Sequence, residues 1–215
     1  MQRNNNLDVE IIDDFLPSHL HNYIKDVLSN PTYPYHFIRD VTYSSNSRQE
    51  EQYPGNYPSD RLAMGFAATP FIGYRADHQQ FPYFQMFETM VRHVLPTTHD
   101  WVLNRLRVGI NVPQSSYHDQ YNVDYDCPHI DHHANGLGGD TIVALYYVNE
   151  TDGDTVIFNE QGLDPPQQVT IKQRVEPKQN RLLLFDGAYY HASSAPKHHD
   201  CRMVITINYH DKVYE

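Results

Sequence analysis

Within residues 125–140, YDCPHIDHHANGLGGD, an imidazole, His129, stands two positions before a carboxylate, Asp131. Side chains alternate across an extended strand, so residues two apart point to the same side. That pair can hold one face of a metal ion. A third donor must come from elsewhere in the chain, and His191, in LLLFDGAYYHASSAP at the end of an apolar run that reads as a strand, is the best placed. Two imidazoles and one carboxylate on a single face leave coordination positions open, a donor set that suits non-haem Fe(II). The neighbouring His132 and His133 precede an Asn135-Gly136 turn signal and read as surface or supporting groups, while His198 and His199 lie in a polar, solvent-exposed loop.

Several strands must position these groups. WVLNRLRVGINVP (101–113) alternates, with Leu106, Val108, Ile110 and Val112 on one side and Arg105, Arg107, Gly109 and Asn111 on the other. It is a strand with one polar face; Arg105 and Arg107, on the face of Asn111, could meet an acidic substrate, but a solvated face is the preferred reading. TIVALYYVNE (141–150) is apolar throughout and reads as a strand buried on both sides. TVIFNE (155–160), QVTIKQRVEP (168–177), RLLLFDG (181–187) and RMVITINYH (202–210) supply further short strands.

Before residue 100 two helices are expected. HLHNYIKDVLSN places Leu20, Tyr23, Ile24, Val27 and Leu28 at helical spacing with Ser18 as N-cap, after a strand-like LDVEIIDDFL. FPYFQMFETMVRHVL (81–95) lines up Phe84, Phe87, Met90, Val91 and Val94. Residues 43–60 and 113–126 are polar, rich in turn residues, and read as long loops that choose the substrate. The fold class is therefore mainly β with flanking N-terminal helices, a sandwich or jelly roll. It is read as one domain over 1–215, with helical support to about residue 100 and the β core from 101 onward.

The totals restrict the function classes. At 215 residues the chain suits one domain with a substantial core. A net charge of -11 argues against binding nucleic acid through phosphate neutralisation. Two cysteines, Cys127 and Cys201, form no disulfide framework and read as free thiols, and neither a secretory signal nor a membrane-spanning stretch is evident. A cytoplasmic protein without a membrane partner is the expectation.

A second chemical clue lies in RMVITINYH. One face carries Met203, Ile205, Ile207 and Tyr209, and the other carries Arg202, Val204, Thr206 and Asn208. If the apolar face packs on the protein, the polar face either meets water or lines a cavity; Arg202, eleven residues after His191, favours the cavity, where its planar fork can grip a carboxylate.

HID at 129–131, FDGAYYHASSAP around His191, and Arg202 opening RMVITINYH together resemble the iron(II) and 2-oxoglutarate dependent dioxygenases, most closely their prolyl 4-hydroxylase-like branch. The resemblance covers roughly residues 100–210 and extends to VEIIDDFLPSHLHNYI near the N-terminus. It implies a double-stranded β-helix, with His129, Asp131 and His191 binding iron and Arg202 binding the distal carboxylate of 2-oxoglutarate. Tyr147, in ALYYVN, matches a family tyrosine that hydrogen-bonds the same carboxylate, and Thr206 and Asn111 align near the cosubstrate and metal. Where this branch often has a tyrosine near position 111, this chain has asparagine. The implied reaction consumes dioxygen and 2-oxoglutarate, releases succinate and carbon dioxide, and hydroxylates an unactivated C–H bond, with ascorbate as a candidate accessory reductant. The leading substrate is a peptidyl residue such as proline. The alternatives are a free amino acid or small metabolite, a cupin-like metalloenzyme without 2-oxoglutarate, and a jelly-roll binding module.

Overall fold

The computed structural model describes residues 7–40, 63–73, 75–114, 123–131, 140–162, 164 and 166–211. The expected loop at 43–60, most of that at 113–126, and the His132, His133 and Asn135-Gly136 stretch fall outside the described residues. Among the described residues, eleven strands and two helices follow the order β1 (Glu10–Ile12), α1 (Ser18–Ser29), β2 (His36–Ile38), β3 (Gly65–Ile72), β4 (Arg75–Ala76), α2 (Gln85–His93), β5 (Trp101–Asn111), β6 (Thr141–Tyr147), β7 (Thr155–Gln161), β8 (Ile171–Val175), β9 (Arg181–Asp186), β10 (Tyr189–Ser193) and β11 (Arg202–Asp211). A 3-10 turn, Phe81–Phe84, leads into α2.

The larger sheet runs β1-β9-β6-β11-β5-β3-β2, with β4 paired to β3, and the smaller runs β10-β7-β8. Every pairing is antiparallel. This is the mainly β jelly-roll architecture that the strand pattern implies.

Alternation along the central strands divides the interior into layers. Ile142, Ala144 and Tyr146 of β6, Leu182 and Leu184 of β9, and Ile205 and Ile207 of β11 join Leu20, Ile24 and Leu28 of α1 and Phe87 and Val91 of α2 in one core. The intervening residues Val143, Leu145, Tyr147, Leu183, Phe185 and Val204 turn the other way and meet Ile157 and Val175 of the smaller sheet. The helices thus cover one face of the large sheet. The small sheet covers the other.

Three expectations are corrected. Ser18 is the first residue of α1 rather than its cap; Pro17 occupies that position and no side chain caps the helix. The region before residue 100 also carries strands β2, β3 and β4, so it extends the sheet as well as buttressing it. The signal of β3 is weak because GFAATPFI is rich in small residues and holds Pro70 where its register with β5 shifts between Ala68 and Phe71. Finally, His191 does not end the apolar strand of 181–187. It sits on a separate strand, β10, in the opposite sheet.

Candidate metal centre and cosubstrate cleft

The polar faces of β5 and β11 look into a cleft closed on its far side by the smaller sheet. Its lining includes Arg105, Arg107, Gly109 and Asn111 from β5, Val204 and Thr206 from β11, and Thr155, His191 and Ser193 from the small sheet. The register places Asn111 opposite Arg202, Arg107 opposite Thr206 and Arg105 opposite Asn208. One strand pair therefore carries polar groups from one end of the cleft to the other.

At one end His129, Asp131 and His191 converge, with one potential ligand atom from each lying within 4.8 Å of the others. Backbone pairing brings them together: His129 and His191 exchange N–H···O=C bonds of 3.0 and 2.8 Å across an isolated antiparallel bridge. Their rings lie 4.5 Å apart between centroids, tilted at 48°, and Phe185 packs edge-on against His191.

The tautomers follow from the backbone. His129 Nδ1 lies 3.0 Å from the carbonyl of Cys127 and His191 Nδ1 lies 3.2 Å from that of Tyr189. A carbonyl only accepts, so each Nδ1 must carry the proton and each Nε2 keeps its lone pair. The two Nε2 atoms are 3.8 and 3.9 Å from the Asp131 carboxylate oxygens. Burial holds both imidazoles below their ordinary pKa, His129 down to about 3, with the neighbouring His191 ring adding to the effect at His129. Both are neutral near pH 7, the form in which an imidazole binds a metal.

Asp131 is gripped from outside. Arg105 Nη2 lies 2.9 Å from one carboxylate oxygen, and Asn208 Nδ2 donates to the other at 3.0 Å. Arg105 Nε also donates to Asn208 Oδ1 at 2.8 Å, which closes the cluster. Burial opposes ionisation of Asp131, but Arg105 and the two imidazoles outweigh it and hold the carboxyl well below the usual carboxylate range. A neutral two-imidazole, one-carboxylate set with its outer contacts already made fits a divalent cation.

Arg202 stands at the other end, 1% exposed. Its Nε donates to the Gly153 carbonyl at 2.9 Å and its Nη2 to Thr155 Oγ1 at 2.8 Å. Tyr147, wholly buried, donates its hydroxyl to the same Thr155 oxygen at 2.7 Å, and its ring centroid lies 5.5 Å from the guanidinium carbon. Arg202 reaches the cleft lining, whereas Tyr147 stands behind it. Burial lowers the Arg202 pKa, and the facing Tyr147, Asp126 and Asp154 counter it.

The seven residues singled out by sequence therefore gather around one cleft. Asn111 lines it and donates weakly to Ser193 Oγ at 3.3 Å and Asp126 Oδ2 at 3.5 Å, while Ser193 Oγ donates to Asp126 Oδ2 at 2.8 Å. Thr206 lines the same wall. The expectation of a solvated face for Arg105 and Arg107 is overturned, because that face turns into the cleft and Arg105 binds Asp131. Burial, aided by repulsion from Arg105, lowers the Arg107 pKa to about 10, so it remains a cation at neutral pH. Sequence reasoning missed Thr155, Asp126 and Ser193. The alternation of β11 did place Asn208 on the correct face without assigning it to Asp131.

Cys127 and Cys201 are free thiols, as expected. Among the described residues no helix is long and apolar enough to cross a membrane.

Comparison with curated protein sequences finds no match. Solved structures that share the fold include the following three. An oxidoreductase of the 2OG-Fe(II) oxygenase family from Burkholderia pseudomallei aligns with a TM-score of 0.61 at 10% identity, covering 94% of this chain and 84% of that one. A prolyl hydroxylase from Trichoplax adhaerens, in complex with a hypoxia inducible factor oxygen degradation domain peptide fragment, aligns at 0.54 and 16% identity over 96% and 85% of the chains. A Pseudomonas putida prolyl-4-hydroxylase gives 0.50 and 13% identity over 96% and 93%. At such identities the likeness is one of fold. Residues 115–210, which carry the metal triad and Arg202, match the model of the 2OG-Fe(II) oxygenase superfamily. Over those residues the chain is similar to the 2OG-Fe(II) oxygenases, and that match together with the shared fold supports an oxygenase.

Proposed function

We propose that this oxygenase hydroxylates an unactivated C–H bond of a peptidyl residue, proline being the first candidate, and that the whole chain forms one catalytic domain. His129, Asp131 and His191 hold Fe(II), and Arg202 seats the distal carboxylate of 2-oxoglutarate. The observation that carries this reading is the joint presence, in one cleft, of three ligand atoms within 4.8 Å and a buried guanidinium. A cupin-like centre has no use for that guanidinium.

When bound, iron and 2-oxoglutarate together supply the oxidising chemistry, in which R–H, dioxygen and 2-oxoglutarate become R–OH, succinate and carbon dioxide. The protein's own groups prepare that reaction. The Cys127 and Tyr189 carbonyls keep both imidazoles in the ligating tautomer. Arg105 and Asn208 keep Asp131 ionised and aimed. Thr155 and Gly153 hold the Arg202 fork in place before the cosubstrate arrives, which lowers the ordering cost of binding. Leu145, Ala192 and Val204 add apolar wall that excludes water. Asn111 and Thr206 offer hydrogen bonds along the cosubstrate's path, and ascorbate serves as the accessory reductant.

Succinate release tests the reading, with proline-containing peptides and free proline offered in parallel. Fe(II)-dependent release stimulated by a peptide and lost in a folded His191→Ala variant is expected. A folded His191→Ala protein with substantial iron-dependent turnover overturns that ligand; stimulation by free amino acids alone overturns the peptidyl substrate.

A further inference from the structure

We propose that Arg105 is a positioning residue that acts through Asp131 to keep bound iron in the Fe(II) state. This deepens the iron reading of the site and rests on it.

The two groups that hold Asp131 come from facing strands. Arg105 of β5 lies opposite Asn208 of β11. Arg105 Nη2 is 2.9 Å from Asp131 Oδ1, Asn208 Nδ2 donates to Asp131 Oδ2 at 3.0 Å, and Arg105 Nε donates to Asn208 Oδ1 at 2.8 Å. Each carboxylate oxygen has two lone-pair sites, so each accepts one of these bonds and keeps a site for a metal. The hydrogen bonds aim the ligand and leave it free to bind.

Aiming alone does not account for a guanidinium. Asn208 fixes one oxygen with a neutral amide, and a second amide would fix the other. What Arg105 adds is a permanent positive charge. The ion pair is enclosed, with side chains 17% and 8% exposed, so solvent and salt screen it little. Ligating imidazoles are neutral and a ligating carboxylate carries one negative charge, so Arg105 offsets the whole charge of the donor set His129, Asp131 and His191.

That charge discriminates between oxidation states. A cation bonded to a metal ligand repels Fe(III) more than Fe(II), in proportion to the metal's charge. Through the 2.9 Å contact it also draws electron density from the carboxylate, which weakens the oxygen donor on which the more highly charged ion depends most. Both effects favour Fe(II). The oxidation they oppose passes one electron from Fe(II) to dioxygen, leaving Fe(III) and superoxide and taking the iron out of its working state. Arg105 thus provides, from within the protein, part of the protection that an accessory reductant provides from outside.

The experiment is a mediated spectroelectrochemical titration of the iron-loaded protein without 2-oxoglutarate or substrate, which reads the Fe(III)/Fe(II) midpoint potential and involves no turnover. Arg105→Gln keeps an amide donor and removes the charge; Arg105→Lys keeps the charge and removes the fork. The expected result is a lower midpoint potential in Arg105→Gln, corresponding to a rise of about tenfold or more in the ratio of Fe(III) to Fe(II) affinity, while Arg105→Lys stays near the wild-type value. Asn208→Ala, which removes the neutral anchor, moves the potential less than Arg105→Gln does. An Arg105→Gln potential equal to or above that of the wild type overturns the proposal and leaves Arg105 as an anchor for Asp131 only. A fall in Arg105→Lys as large as that expected for glutamine overturns it too, even where the glutamine variant does not fold. If the wild-type protein takes up no Fe(II), or holds it no better than Asp131→Ala does, the iron reading of the triad itself fails before Arg105 is compared.

Discussion

Replacing Thr155 by valine exchanges one hydroxyl for a methyl of similar size at a position that is 1% exposed. That oxygen accepts two hydrogen bonds, from Arg202 Nη2 at 2.8 Å and from the Tyr147 hydroxyl at 2.7 Å. Both donors are themselves buried. A buried donor deprived of its acceptor costs about 1–3 kcal/mol, so two cost about 2–6 kcal/mol. For a chain of this size each kcal/mol moves the melting temperature by roughly 2–4 °C, which places Thr155→Val at least about 4 °C below wild type. Thr155→Ser keeps the oxygen and loses only a methyl, so it should fall well short of that. Thermal unfolding monitored by circular dichroism, without metal or cosubstrate, reads the difference. A carboxylate in the cleft accepts from the stranded Arg202 donor, so 2-oxoglutarate with Mn(II) should raise the valine variant's melting temperature more than the wild type's. The reasoning is refuted if Thr155→Val melts within about 1 °C of wild type, or if serine and valine destabilise alike.

Gly153 has φ +105° and its Cβ would lie 2.5 Å from the Ser194 carbonyl oxygen, while its own carbonyl holds Arg202; Gly153→Ala should cost about 1–3 kcal/mol in urea unfolding and weaken 2-oxoglutarate binding. Asn208→Ala removes one of the two groups holding Asp131 and should weaken Mn(II) binding by about 10–100-fold, measured by electron paramagnetic resonance, without loss of fold. His21 of α1, buried against Tyr146 of β6, has its pKa lowered first by burial and then by Lys25. The unfolded chain therefore takes up the proton first, and stability falls as pH drops below about 6.5. His129, His191 and His210 shift the same way, so His21→Gln should reduce the slope of melting temperature against pH between 7 and 5 without abolishing it.

Much of the fold was legible because the central strands alternate or are uniformly apolar. In RMVITINYH and WVLNRLRVGINVP the two-residue period separates helix-facing from cleft-facing residues, as observed. β3 escaped because Pro70 and its small residues break the period at a register shift. β10 escaped because only Gly187 and Ala188 separate it from β9, and a change of sheet at a tight turn leaves no mark in local periodicity. The triad was legible from ligand types and spacing. Thr155 and the Arg105–Asp131–Asn208 cluster depend on which strands become neighbours, and a lone threonine or arginine in a strand carries no such signal. Arg105 and Arg107 read as solvated for the same reason: alternation gives a face, and only the second sheet decides whether that face meets water.

The central claim is that the triad and Arg202 serve one metal and one dicarboxylate. The most direct measurement is an anaerobic titration of the metal-free protein with Fe(II) and then 2-oxoglutarate, following visible charge-transfer absorption and melting temperature, with Arg202→Met alongside. The account predicts a new band and added thermal stability only when both components are present, at a 2-oxoglutarate concentration far higher in the variant. Iron binding that is indifferent to 2-oxoglutarate, or a band whose 2-oxoglutarate requirement is the same in wild type and Arg202→Met, contradicts it.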